Sequence, residues 1–173
     1  MELDLTEAKH RLVKKGEIIQ HQGNIITKGF YVKKGLLRSY SIDENGKISV
    51  FMFAPEGWLI SDIQSHTHNQ PAELFIDALE DGEIVEINTS VLENQELSNE
   101  QLKAMSVKLL RRISVLQKRV IMLMTASAKT RYEHFLETYP QLVNRVPQKM
   151  IASYLGVTPE ALSTIRSKYK KEK

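Results

Sequence analysis

The sequence contains no cysteine among its 173 residues. This absence excludes disulfides, thiolate zinc sites, cysteine nucleophiles and iron–sulfur clusters held by cysteine. A membrane-spanning helix needs about 20 consecutive apolar residues, whereas the apolar stretch VIMLMTA covers only residues 120–126. The start, MELDLTEAKH, has neither a cationic leader nor an apolar core. We therefore expect a globular, cytoplasmic protein that does not contact a membrane.

Basic residues are missing from one long interval. No Lys or Arg occurs between Lys47 and Lys103, and the interval holds 11 Asp and Glu residues. Residues 1–102 have a net charge of −8, while residues 103–173 have a net charge of +11. A charge of +11 suits binding to a polyanion, but solvated helix faces would give the same value, so the charge leaves both open.

The first half of the chain has the pattern of short strands. From residue 16 to about residue 90, apolar runs alternate with turn residues, and LLRSYSI and KISVFMF flank the turn sequence DENG. An Asx-Gly turn between two such runs predicts a β-hairpin. Strands at this spacing favour a closed or two-sheet structure. We predict an α+β protein in which residues 1–97 form an antiparallel β-roll or jelly roll.

A long helix is predicted over residues 98–126. Ser98 and Gln101 fit a capping box, and Leu97 and Leu102 fit a hydrophobic staple. Apolar residues then recur every three or four positions: Leu102, Met105, Leu109, Ile113, Leu116, Val120 and Leu123. Lysines and arginines, including Arg119, flank this seam. The seam could pack on the roll or pair with its twin in a dimer, and we favour a helix that does both.

Residues 127–173 predict a helix-turn-helix unit. Such a unit needs a small residue where its helices cross, a residue tolerant of positive φ at the turn, and apolar inner faces. Ala152, Gly156 and Leu162 meet these needs. Thr158 is placed to cap the second helix, with Pro159 at its first position. A plain helical hairpin that closes a small core remains the alternative.

The second helix of this unit has an outward face of short polar and basic side chains. Such a face suits the DNA major groove, where Ser, Thr and Glu meet base edges and Lys meets phosphates. The candidate DNA-binding residues are Thr158, Glu160, Ser163, Thr164, Arg166, Ser167, Lys168 and Lys170. Lys171 and Lys173 extend the basic end of the chain.

The whole chain resembles the Crp/Fnr family of bacterial transcription regulators. The resemblance is carried by VKKGEIIQHQG, GFYVKKGLLRSYSIDENGKISVFMFAPEGWLI and IASYLGVTPEALSTIR. It implies a cyclic-nucleotide-binding-like roll, a dimerisation helix and a helix-turn-helix, in a homodimer that binds double-stranded DNA and is not an enzyme. RNA polymerase and a small-molecule effector are further partners that the resemblance allows, and no cofactor is implied.

The sequence departs from the family pattern at the nucleotide site. Members that bind cyclic nucleotides use a Gly-Glu pair and a following arginine in the loop that here reads SDIQSHTHNQPAELF. Ser61 and Asp62 replace the pair, and the arginine is absent. A phosphate without a cation would be repelled, so we expect no cyclic AMP or GMP binding. An effector pocket, if kept, would use Trp58, Ser61, Asp62 and Gln70.

The DNA-binding end departs from the family as well. Pro159 and Thr164 occupy the positions where arginines are usual, and the sequence ends soon after the last helix. We therefore expect no complete wing.

A metal site is the rival hypothesis. His66, His68 and Glu73 in HTHNQPAE resemble the first metal motif of cupin enzymes, since alternate strand residues project to one side. The only histidine after Glu73 is His134, on a predicted helix. Because no later strand supplies a further histidine, we expect no bound metal.

Overall fold

A computed structural model describes residues 9–25, 28–88 and 98–171 of the chain. The chain forms two compact units, Met1–Asn94 and Gln95–Lys173. In the described residues, the first unit consists of strands and one short helix, and the second is helical. The three-part division at residues 97 and 126 stays a prediction.

Eight strands build the first unit. They are β1 (Lys9–Val13), β2 (Ile18–Gln20), β3 (Lys28–Lys34), β4 (Leu37–Ile42), β5 (Ile48–Ala54), β6 (Leu59–Ile60), β7 (Phe75–Ala78) and β8 (Gly82–Asn88). A short helix, α1 (Ile63–His68), lies between β6 and β7. Strand β1 precedes residue 16, where the predicted strand region begins. Only Val13 of its five residues is buried, so the apolar pattern of β1 is weak.

The strands form two antiparallel four-stranded sheets, in the orders β1-β8-β3-β6 and β2-β7-β4-β5. One apolar cluster contains residues of both sheets: Val13, Phe30, Val32, Leu37, Ala54, Ile60, Ile76, Ala78 and Ile84. Ile19, Met52 and Trp58 pack against it. The predicted roll is confirmed.

The predicted hairpin joins β4 and β5. Asp43 Oδ1 accepts the backbone N–H groups of Asn45 and Lys47, each at 2.9 Å. Gly46 has φ = 77°, a conformation that glycine adopts without steric cost. The DENG turn therefore fixes the pairing of these strands through its own local chemistry.

The second unit contains α2 (Asn99–Thr125), α3 (Ala128–Thr138), a 3-10 turn (Pro140–Leu142), α4 (Gln148–Leu155) and α5 (Pro159–Lys171). The capping box is present, since Gln101 N donates to Ser98 Oγ at 3.3 Å and Ser98 N donates to Gln101 Oε1 at 2.8 Å. Leu97, half of the predicted staple, lies outside the described residues. None of the described helices is long and apolar enough to cross a membrane.

Candidate functional site

A tight turn joins α4 to α5. Gly156 has φ = 66°, and Val157 N donates to Ala152 O at 3.0 Å across the turn. A Cβ at residue 156 would lie 3.3 Å from Arg131 Nη1, in a conformation that L residues rarely adopt. Glycine adopts this φ without steric cost, and the absence of a Cβ leaves room for the Arg131 guanidinium.

The start and the inner face of α5 are held by specific contacts. Ala161 N donates to Thr158 Oγ1 at 3.2 Å, so Thr158 caps the helix. Leu162 is fully buried and Ala152 is 1% exposed. Near the other end of α5, the ring of Tyr169 meets that of Tyr132 edge-on at 5.8 Å. These contacts fix which side of α5 faces solvent.

The solvent-facing side of α5 is polar and basic. Seven predicted DNA-binding residues are exposed and one, Arg166, is half-buried; the exposed residues are Thr158, Glu160, Ser163, Thr164, Ser167, Lys168 and Lys170. Thr164 Oγ1 donates to Glu160 O at 3.1 Å, so its hydroxyl still has a lone pair free to accept. Lys173 lies outside the described residues. At 13 residues, α5 is about 20 Å long, and helices of this kind fit a major groove about 12 Å wide.

The long helix α2 presents an exposed apolar seam. The seam residues and their exposures are Leu102 47%, Leu109 54%, Ile113 51%, Leu116 36%, Val120 56% and Leu123 41%. The side chain of Met105 lies outside the described part of the chain. A contiguous row of half-exposed apolar side chains is typical of an interaction surface.

Arg119 has a role that the sequence did not reveal. The sequence places Arg119 on the basic flank of the α2 seam. In the structure, Arg119 Nη2 donates to Tyr154 O at 3.3 Å, and its guanidinium lies 4.1 Å from the centre of the Tyr154 ring. Burial lowers the pKa of the Arg119 side chain. Arg119 therefore links the end of α2 to α4, the helix that supports α5.

Arg131 forms a second link of this kind. Its Nη1 donates to Leu155 O at 2.7 Å and its Nε donates to Ala126 O at 3.2 Å. One guanidinium thus satisfies carbonyl groups at the C-terminal ends of both α2 and α4, where helices leave carbonyls without an internal partner. No local sequence signal identifies it, because its acceptors are backbone atoms of other helices.

In the first unit, Asp62 holds the loop that differs from the family pattern. Its side chain is 4% exposed and caps α1 by accepting from Ser65 N at 3.1 Å. The other carboxylate oxygen accepts from Glu73 N at 2.8 Å and Leu74 N at 2.9 Å. An internal carboxylate thus occupies three backbone N–H groups that converge in this loop.

The other predicted pocket residues have different surroundings. Trp58 packs against the core cluster, Ser61 is half-buried and Gln70 is exposed. A pocket formed by these residues with Asp62 stays a prediction.

The predicted geometry of the histidine motif is wrong. His66 and His68 lie in helix α1, and residues two apart on a helix do not share a face. The strand alternation that would have aimed both imidazoles at one metal is therefore lost. His68 Nδ1 lies 2.8 Å from Thr67 Oγ1, and the side chain of His66 lies outside the described part. No group of three or more His, Asp or Glu side chains within the described residues could hold a metal ion.

The chain is similar to known proteins along its whole length. The model of the cyclic nucleotide-binding domain family matches residues 10–98. Electron transport regulator A of Shewanella oneidensis is 25% identical over 183 residues, which cover 97% of this chain and 71% of that protein.

Solved structures share the fold. FixK2 from Bradyrhizobium japonicum has a TM-score of 0.79 at 19% identity, over 95% of this chain and 85% of that one. TTHA1359 from Thermus thermophilus, a transcriptional regulator of the Crp/Fnr family, has a TM-score of 0.72 at 17% identity. The match covers 95% of this chain and 87% of TTHA1359.

The family match covers more than half of the 173 residues, and the similar structures extend across both units. The resemblance seen in the sequence is thereby confirmed. The chain belongs to the cyclic nucleotide-binding domain family and has the fold of the Crp/Fnr transcription regulators.

Proposed function

We propose that this protein is a homodimeric, DNA-binding transcription regulator that does not respond to cyclic AMP or GMP. The observation that carries the proposal is helix α5, whose inner face is fixed by Leu162 and Tyr169 while its outer face offers hydroxyls, Glu160 and lysines. Short polar side chains reach base edges, and lysines neutralise phosphates.

The apolar seam of α2 supports the homodimer. Six half-exposed apolar side chains along one face of a helix would lower the solubility of a monomer. In a two-fold symmetric dimer, the seam of each copy would pack against the seam of the other and be shielded from water. A dimer presents two α5 helices to half-sites about 34 Å apart. RNA polymerase as a further partner stays a prediction.

Asp62 supports the loss of cyclic-nucleotide binding. A cyclic phosphate carries a negative charge and seeks N–H donors and cations. In this loop the donors are already bound by a carboxylate, and no Lys or Arg lies between residues 47 and 103. Repulsion between the phosphate and the Asp62 carboxylate would weaken phosphate binding further, beyond the effect of the missing cation.

The DNA proposal is tested by fluorescence anisotropy with a labelled duplex from upstream of the protein's own gene. We expect the logarithm of affinity to fall linearly with the logarithm of salt concentration between about 50 and 200 mM, because each neutralised phosphate releases counterions. Lys170→Glu should weaken binding to all duplexes and lower the salt slope by about 1 or more.

Lys47→Glu is the matched control, since it makes the same charge change in the exposed hairpin turn of the other unit. It should retain most of the affinity. Absence of binding at low salt, or equal losses in the two variants, would refute the role of α5.

A further inference from the structure

A stripe of exposed polar residues runs along the outward face of α5. Successive residues of an α-helix lie about 100° apart, so residues three and four apart fall on one side. Glu160, Thr164, Ser167 and Lys171 follow that spacing and are all exposed. Leu162, which is fully buried, lies about 160° around the helix from Thr164. Thr164 therefore lies in the middle of the stripe and points away from the side that packs on the other helices.

The hydroxyl of Thr164 is engaged within the helix. Its Oγ1 donates to Glu160 O at 3.1 Å, so the hydroxyl proton is already used. With Oγ1 held against the preceding turn, the Cγ2 methyl takes another staggered position on Cβ, away from that carbonyl. Toward a ligand, Thr164 therefore offers a methyl group and an acceptor lone pair, but no donor.

The first half of the stripe lacks the groups that recognise guanine. Guanine presents the acceptors N7 and O6 in the major groove, and arginine or lysine meets them with donors. Arg166 is the only arginine of α5, and it is half-buried and about 160° around the helix from Thr164. The lysines of α5 lie in its last turn. A guanine beside Glu160 and Thr164 would meet acceptors with its own acceptors.

Thymine has the complementary group. Its C5 methyl lies in the major groove, where the methyl of a threonine side chain can contact it. The residues near the start of a recognition helix are those that contact base edges, and Thr164 is the sixth residue of α5, which begins at Pro159. The methyl group that the bond to Glu160 O leaves outward thus has a matching partner on one base.

We propose that Thr164 selects a thymine in each half-site through contact between its Cγ2 methyl and the C5 methyl of the base. The inference rests on the proposed function and deepens it, since it names a base that α5 selects and the side-chain group that selects it.

The test begins with DNA duplexes that the full chain selects from a random library. Each thymine of one half-site is then replaced in turn by uracil, which removes the C5 methyl and keeps the base pair. Fluorescence anisotropy should show one thymine whose replacement weakens binding of the wild type about fourfold, the factor that corresponds to burial of one methyl-sized group. If no thymine of the half-site has this effect, the proposal is overturned.

Two substitutions separate the methyl of Thr164 from its hydroxyl. Thr164→Ser removes Cγ2 and keeps a hydroxyl that can donate to Glu160 O, so it should bind the thymine and uracil duplexes equally. Thr164→Val has the same shape and keeps a methyl in this place, so it should retain the roughly fourfold preference for thymine. Ser163→Ala, at an exposed position about 100° away, is the control and should retain the preference too. The reverse result, preference kept in Thr164→Ser and lost in Thr164→Val, would mean that the hydroxyl is recognised and would overturn the proposal.

The selection step distinguishes failure of this inference from failure of the proposed function. If duplexes are enriched and bound but removal of the thymine methyl has no effect, the DNA-binding regulator stands and the role of Thr164 is wrong. If no duplex is enriched at low salt, the proposed function is wrong and the role of Thr164 is overturned with it.

Discussion

Replacing Asp62 with alanine should destabilise the roll much more than an aspartate replacement at the surface. The substitution removes the acceptor for three backbone N–H groups, those of Ser65, Glu73 and Leu74. Ser65 is fully buried, so its N–H cannot turn to water, whereas the other two hydrogen bonds are only partly buried.

The expected loss follows from these three groups. A buried donor without a partner costs about 1–3 kcal/mol, and partly buried donors fall at the lower end of that range. About 2 kcal/mol for Ser65 and about 1 kcal/mol for each of the others gives a loss of about 4 kcal/mol. Each kcal/mol shifts the melting temperature of a domain of this size by about 4–8 °C, so a fall of at least about 16 °C is expected.

Trp58 makes the assay specific for the roll. It is the only tryptophan in the chain and packs against the core cluster of the first unit. Urea unfolding followed by its fluorescence should give the loss as a lower midpoint with an unchanged slope. Added formate, which restores a carboxylate, should raise the stability of Asp62→Ala and not that of the wild type.

Asp43→Ala is the matched control. Asp43 also accepts two backbone N–H groups, but in an exposed turn where water can replace it. Its loss should be about 1 kcal/mol or less. If Asp62→Ala loses no more than Asp43→Ala, the carboxylate does not hold the loop, and the physical argument against phosphate binding fails with it.

Three further predictions concern the helical unit. Ile113→Glu should place a charge in the α2 seam, and sedimentation velocity should then show a monomer in place of a dimer. Lys118→Glu is the control and should remain dimeric, because residue 118 lies about 180° around the helix from Leu109. If Ile113→Glu also remains dimeric, the seam is not the dimer interface. Arg119→Met should lose the hydrogen bond to Tyr154 and the contact with its ring, worth about 1–2 kcal/mol, and weaken DNA binding up to roughly 30-fold without affecting dimerisation. Lys118→Met is its control, and full DNA affinity in Arg119→Met would count against the link. Burial and Lys118 lower the pKa of His134 below 6.5, so the folded state favours neutral imidazole and unfolding takes up a proton. Stability should therefore be complete above pH 6.5 and fall as pH drops through the folded pKa, as measured by urea unfolding with circular dichroism, and an equally steep fall in His134→Gln would refute the assignment.

Features that depend on neighbours in the chain could be predicted from the sequence. The DENG turn, the capping box at Ser98 and the positive φ of Gly156 each depend on contacts within a few residues. The apolar runs that alternate with turn residues in the roll, and the three-to-four-residue apolar period of α2, also reflect local geometry. Together they predicted a β-roll followed by helices.

Helix α1 shows where local reading fails. The segment from Ile63 to His68 has no apolar period, and its start depends on the Asp62 side chain, which is also held by Glu73 and Leu74. Read as a strand, the segment suggested a pair of parallel imidazoles; as a helix, it separates them. Because the segment is a helix, the geometry that the metal hypothesis required is absent.

By itself, the sequence determined the order of elements, the turns, the caps and the uneven charge, because these depend on residue type and short spacing. Only the tertiary structure decided what the polar groups do: Asp62 accepts N–H groups 11 and 12 residues away, and Arg119 contacts Tyr154 across 35 residues. Gln20 and Ser39 lie on either side of Ile76 only because β2 and β4 both pair with β7. A side chain's burial and hydrogen-bond partners are set by distant segments, and no local pattern contains them.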